Sequence, residues 1–175
     1  MSLHHALPKS PLAEVSDPRL VRSFSYIGGK WTGAASNATF SVTNPADGDW
    51  LGDVAELTGA DSAKAVDAAQ AAFRSWSMTL PQERSAMLRK WFRLMQENRE
   101  DLARIMVLEQ GKPLSEARGE IDYAGDFLEY YAEEAKRPNI EGVTSHLEDA
   151  EVELWREPVG VAALITPWNF PAAML

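Results

Sequence analysis

The sequence predicts an α/β chain. Short strands bounded by turn residues come first, four stretches of helical periodicity follow, and an apolar run of strand length comes last, just before a helix start. That last run, Val161 to Ile165, is unbroken and suits a parallel strand buried on both faces. Pro167 cannot donate to a ladder, so the strand is expected to stop near Thr166. Pro171 fits the first turn of a helix, where its missing N–H costs little. Trp168, Asn169 and Phe170 then link strand to helix, at the strand's carboxyl end, where open α/β sheets bind ligands.

Residues 1–22 read as a mobile arm, with Pro8, Pro11 and Pro18 and no sustained period. His4 and His5 are adjacent there and fall short of the ligand count of a metal site. Residues 23–140 read as one unit that begins with a small antiparallel meander. Phe24 to Trp31 turns at Gly28-Gly29, Thr39 to Thr43 runs into the turn chemistry of Asn44-Pro45-Ala46-Asp47-Gly48, and Leu51 to Ala55 returns.

Four helices follow. Asp61 is the expected N-cap of the first, with Val66, Ala69, Phe73 and Trp76 on its inner face. Thr79 and Gln82 have capping-box spacing around Pro81, ahead of a helix that turns Met87, Trp91, Leu94 and Met95 inward. The third helix holds Leu102, Ile105, Met106 and Val107 and is expected to stop at Gly111. The fourth runs from about Leu114 to Lys136, with Ala117, Ile121, Leu128 and Tyr131 on one side, and Pro138 ends it. Glu129, Glu133 and Glu134 form a solvated face, with Glu133 and Arg137 at pairing distance, and Lys112 reads as a surface residue.

Residues 141–158 are different in character. Val152, Leu154 and Arg156 alternate with Glu151, Glu153 and Trp155, the pattern of a half-exposed strand that belongs to neither neighbour. Residues 159–175 form the apolar strand and helix start.

Composition narrows the function classes. With 45% apolar residues a packed core is feasible. The net charge of −9 argues against a nucleic-acid surface. No run approaches the roughly 18 apolar residues of a membrane helix, and no signal-peptide core is visible, so a cytoplasmic setting is expected. There is no cysteine, which removes disulfides, thiolate metal sites and any thiol nucleophile.

Asn169 is the polar residue at the key link. Its amide caps a following helix, or it donates to a developing oxyanion; spacing alone leaves both open and leans to the cap. Three stretches carry a resemblance: Asn44 to Gly48, Leu108-Glu109-Gln110-Gly111-Lys112-Pro113-Leu114, and Thr166 to Met174 with Glu157-Pro158-Val159-Gly160-Val161 before it. In these, over about residues 24 to 175, the chain resembles the aldehyde dehydrogenase superfamily, and within it the succinate-semialdehyde dehydrogenases.

The resemblance implies the N-terminal portion of a Rossmann-type cofactor domain, about a third of such an enzyme. It implies oxidation of an aldehyde to the acid, with NAD or NADP, through a cysteine thiohemiacetal and thioester. It makes Asn169 the oxyanion donor. It lays Ile165, Thr166, Pro167, Trp168 and Asn169 along the cofactor and places Phe170 and Met174 at the aldehyde entrance. It makes residues 141–158 an arm that pairs subunits into a homodimer or homotetramer. The cysteine and the water-activating glutamate of the family have no counterpart here, so the chain alone is expected to be inactive. A non-catalytic nucleotide-binding or oligomerisation module is the alternative.

Overall fold

The computed structural model describes residues 10–174; His4 and His5 lie outside the described residues. From Ser10 onwards the expected mobile arm is docked. The Ser10 hydroxyl donates to the carbonyl of Leu51 at 2.5 Å and accepts from Leu12 N–H, opening a 3₁₀ turn over Pro11–Glu14. That turn buries Leu12 and Val15 against Leu51. The Asp101 carboxylate then accepts the Ser16 and Asp17 amides at 3.1 and 2.9 Å. Prolines mark the turns here, and two apolar residues within a turn supply the anchor that a lack of periodicity hides.

Strands β1 (Ser25–Ile27) and β2 (Lys30–Thr32) form a hairpin through Gly28 and Gly29, both at positive φ as a type I′ turn requires. Strands β3 (Thr39–Thr43) and β4 (Trp50–Ala55) form a second, with an irregularity at Val42/Thr43. The expected single meander is therefore two separate hairpins. Strands of three residues in β1 and β2 are too short to extend a ladder; the Ala55 amide donates to the carbonyl of Ser23, just before β1, at 2.9 Å.

Helix α1 (Gly59–Trp76) is capped by Thr58 rather than Asp61. The Thr58 hydroxyl accepts the Asp61 amide at 3.4 Å, and the Asp61 carboxylate accepts the Thr58 amide at 3.1 Å, a reciprocal capping box. Helix α2 (Pro81–Glu97) starts after Leu80, whose amide donates to Glu83, one residue beyond the spacing expected from Thr79. Helix α3 (Arg99–Gln110) ends at Gly111 with φ 77°. A Cβ there would lie 2.9 Å from the Pro45 ring, so Gly111 both terminates the helix and admits the turn before β4.

Helix α4 (Leu114–Glu134) packs along α2 and α3. It packs tightly on α2 at Gly125, where a Cβ would stand 2.9 Å from the Gln96 amide nitrogen and 3.2 Å from the Phe92 ring. The core between α3 and α4 is Ala103, Met106, Ala117 and Ile121. Two charged pairs brace it from outside: Arg99 with Asp122, and Arg118 with Glu100. The Arg118 guanidinium, helped by Arg104, holds the Glu100 carboxyl down at about 2. On the Glu face, Glu133 pairs with Arg89 and Lys136, whereas Arg137 takes Glu134 and not the expected Glu133.

Several residues expected inward are exposed: Val66 and Trp76 on α1, Met87, Trp91 and Leu94 on α2, and Tyr131 on α4. Periodicity identifies a face able to bury; it does not supply the surface that covers it. Strands β5 (Ile140–Val143) and β6 (Val152–Trp155) form a hairpin, exposed at every residue, with Val143 opposite Val152 and Ile140 opposite Trp155. It accounts for the strand expected in residues 141–158. Among the described residues, helix α4 is the longest, and no helix is long and apolar enough to cross a membrane.

Candidate functional site

The expected strand over Val161 to Ile165 is not formed; residues 159–167 carry no strand, and residues 168–174 are turns and a bend rather than a helix. A parallel strand exists only through hydrogen bonds to strands beside it. Among the described residues each sheet is a two-stranded antiparallel pair, and none adjoins this run. Ile165 is accordingly 99% exposed and Trp168 80%.

The link itself is nevertheless defined. The Phe170 amide donates to the Pro167 carbonyl at 3.2 Å, which closes a turn with Trp168 and Asn169 at its tip. Pro167 and Asn169 are both favoured turn residues. Asn169 is exposed, and its side-chain amide has no hydrogen-bond partner among the described residues, so it caps no helix here. Thr166 is half-buried, and Pro167 is exposed. Phe170 and Met174 are partly exposed; without a helix their four-residue spacing does not put them on a common helical face.

What holds this turn is a pair that periodicity does not single out. Lys112 follows the Gly111 helix stop, and Glu120 lies two turns into α4. The two form an ion pair with side-chain exposures of 10% and 2%. The Lys112 ammonium also donates to the Asn169 backbone carbonyl at 2.8 Å and lies 4.5 Å from the centre of the Phe170 ring. The other Glu120 oxygen accepts the amides of Ala172 and Ala173 at 2.9 and 3.3 Å. Lys112 is thus no surface residue. A signal was present: Glu120 shares its helix stripe with Ala117, Ile121 and Ala124, and a carboxylate on an apolar stripe needs a buried partner.

The arrangement is a turn whose tip presents a neutral amide donor, anchored from below by two buried charges. A neutral donor at a fixed position suits an oxygen that gains negative charge during a reaction.

The chain is 48% identical to a glutarate-semialdehyde dehydrogenase of Pseudomonas putida over 162 residues, 93% of this chain and 34% of that protein. It is 46% identical to the NADP(+) succinate-semialdehyde dehydrogenase of Escherichia coli K12, over the same shares of each chain. Among solved structures, a succinate-semialdehyde dehydrogenase from Burkholderia pseudomallei superposes with a TM-score of 0.87 at 49% identity, covering 92% of this chain and 33% of that one. The chain thus spans about a third of the length of the curated relatives it matches. Residues 31–175, from β2 through the Asn169 turn, match the aldehyde dehydrogenase family, and the chain belongs to that family.

Proposed function

We propose that this chain is the N-terminal part of an NAD(P)-dependent aldehyde dehydrogenase that oxidises a short aldehyde bearing a carboxylate, with succinate semialdehyde the first candidate. The observation that carries the reading is the Asn169 amide, exposed at the tip of an anchored turn and committed to no other hydrogen bond among the described residues. In this reading Asn169 donates to the aldehyde oxygen as it becomes an oxyanion. Phe170 and Met174 border the approach of the aldehyde. The relatives named for succinate and glutarate semialdehyde act on substrates of this chemical kind, which supports the choice.

The residues present fit one face of a dinucleotide. Ile165 and Trp168 offer exposed apolar and aromatic surface beside Thr166 and Pro167. They do not form a pyrophosphate cradle, because residues 159–174 hold no basic side chain and a single glycine, Gly160. When bound, the dinucleotide would supply the hydride acceptor. Ile165, Thr166, Pro167 and Trp168 would hold its near face beside the Asn169 amide. The thiolate nucleophile comes, in this reading, from residues outside these 175, since the chain has no cysteine, and the base that activates water is assigned there with it.

The test is a turnover assay on the complete protein with succinate semialdehyde, glutarate semialdehyde and an uncharged aldehyde of similar length, each with NAD and with NADP. The expected result is a kcat/KM at least about tenfold higher for a carboxylated aldehyde, as a charge-assisted contact provides. No reduced cofactor with any aldehyde sinks the reading.

Assembly belongs to the same proposal. The β5–β6 hairpin is exposed on both faces, and in this reading it pairs subunits into a homodimer or homotetramer. Leu154→Pro removes a ladder donor from β6 and is expected to shift the complete protein towards smaller species on dilution. Sizing behaviour identical to the wild type at every concentration would refute the arm.

A further inference from the structure

We propose that Lys112 and Glu120 are positioning residues: together they clamp the backbone of residues 169–173 and so fix the direction in which Asn169 presents its amide. The inference rests on the reading of Asn169 as oxyanion donor.

Each anchor is accounted for by chemistry. An ammonium has three donors and no acceptor. Lys112 directs its charge at the Glu120 carboxylate, the Asn169 carbonyl and the face of Phe170. The carboxylate is used at both oxygens, one by Lys112 and the other by the Ala172 and Ala173 amides. These contacts hold the chain on the C-terminal side of the Asn169 side chain, and the Phe170 amide ties it back to the Pro167 carbonyl on the other side. Holding the Asn169 carbonyl sets the peptide plane that follows it, and holding two amides three and four residues on sets where the turn ends. Both anchors stand on rigid parts: Lys112 beside the stop of α3, Glu120 within α4 where that helix packs on α3.

Stability alone does not explain the pair. Taking two charges out of water is costly, and well-packed apolar residues of similar volume are often as stable or more so. Geometry is what the charges add that apolar packing lacks. A neighbouring turn pinned only by its own Phe170–Pro167 bond would leave the amide free to swing, and an oxyanion donor loses most of its effect when it is misplaced by about 1 Å.

The test is a double-variant cycle on the complete protein, read by single-turnover hydride transfer and by amide hydrogen exchange. Lys112→Met is expected to slow hydride transfer on the order of 10- to 100-fold, with aldehyde KM and nucleotide affinity changed less than about twofold. Lys112→Arg, which keeps charge and donors, is expected to recover part of the rate. In an Asn169→Asp background, Lys112→Met is expected to add less than about a twofold loss, because the group it positions is already gone. The peptide containing Ala172 and Ala173 should exchange at least about tenfold faster in Lys112→Met, while the α2 peptides keep wild-type protection. Glu120→Gln, nearly isosteric, runs the same cycle should Lys112→Met not fold. Losses that multiply in the double variant, or unchanged exchange at Ala172 and Ala173, would overturn the proposal. If Asn169→Asp alone keeps the wild-type rate, the functional reading falls and the catalytic half of this inference with it; the exchange measurement still decides the clamp.

Discussion

Asn169→Asp is expected to lower the hydride-transfer rate of the complete protein by about 10²–10³, with little change in its melting temperature. The two side chains have nearly the same size, and both suit a turn tip such as the one closed by Pro167 and Phe170. They differ in one respect that matters to an oxyanion. The amide donates two hydrogen bonds; the ionised carboxylate donates none and repels the negative charge. Because the Asn169 side chain has no structural bond among the described residues, removing its donor leaves the fold's own hydrogen bonds in place. The loss therefore falls on the reaction, and it corresponds to about 2.7–4 kcal/mol of transition-state stabilisation. The measurement is single-turnover formation of reduced cofactor beside a thermal melt. Near-wild-type hydride transfer would mean that Asn169 is only a turn residue.

Ile121→Ala is expected to cost about 2–5 kcal/mol of folding stability. Ile121 is 2% exposed and is the largest aliphatic side chain in the cluster with Ala103, Met106 and Ala117. Ala103 and Ala117 beside it have no spare atoms to move into the space, so relaxation of Met106 and the outer residues fills it only in part. Against a total stability of about 5–15 kcal/mol for a typical domain, such a loss is a large fraction. A denaturant titration should show a lower midpoint with an unchanged slope. A midpoint within error of the wild type would show that the α3–α4 contact is not the principal core. Ile121 also follows Glu120 directly, so loosening α4 here is expected to relax the Asn169 turn as well.

Helices are where the sequence was most informative. The termination of α3 at Gly111, the place of Pro81 in the first turn of α2 and the existence of all four helices follow from local signals, because caps and proline act over one turn. Ala117 and Ile121 are buried as their spacing indicates. Thr58 was missed because the capping box places its acid at the third helical residue, and Asp61 alone looks like a cap. The docking of Ser10 to Val15 was missed because its partners, Leu51 and Asp101, are distant in sequence.

The family and the Asn169 turn were legible in the sequence alone, through a run with two prolines, a tryptophan and an asparagine in fixed order. Turn chemistry of that kind is local, so it marks the turn whatever supports it. Three things were decided only by tertiary structure. The exposed faces of α1 and α2 depend on what else is present to cover them, and periodicity carries no information on that. The strand over Val161 to Ile165 requires neighbouring strands for its hydrogen bonds, and an apolar run by itself supplies none of them. Lys112 and Glu120 meet only because α3 stops at Gly111 and α4 turns back along it, so that a charge that reads as surface and a carboxylate on an apolar stripe are buried against each other beneath Asn169.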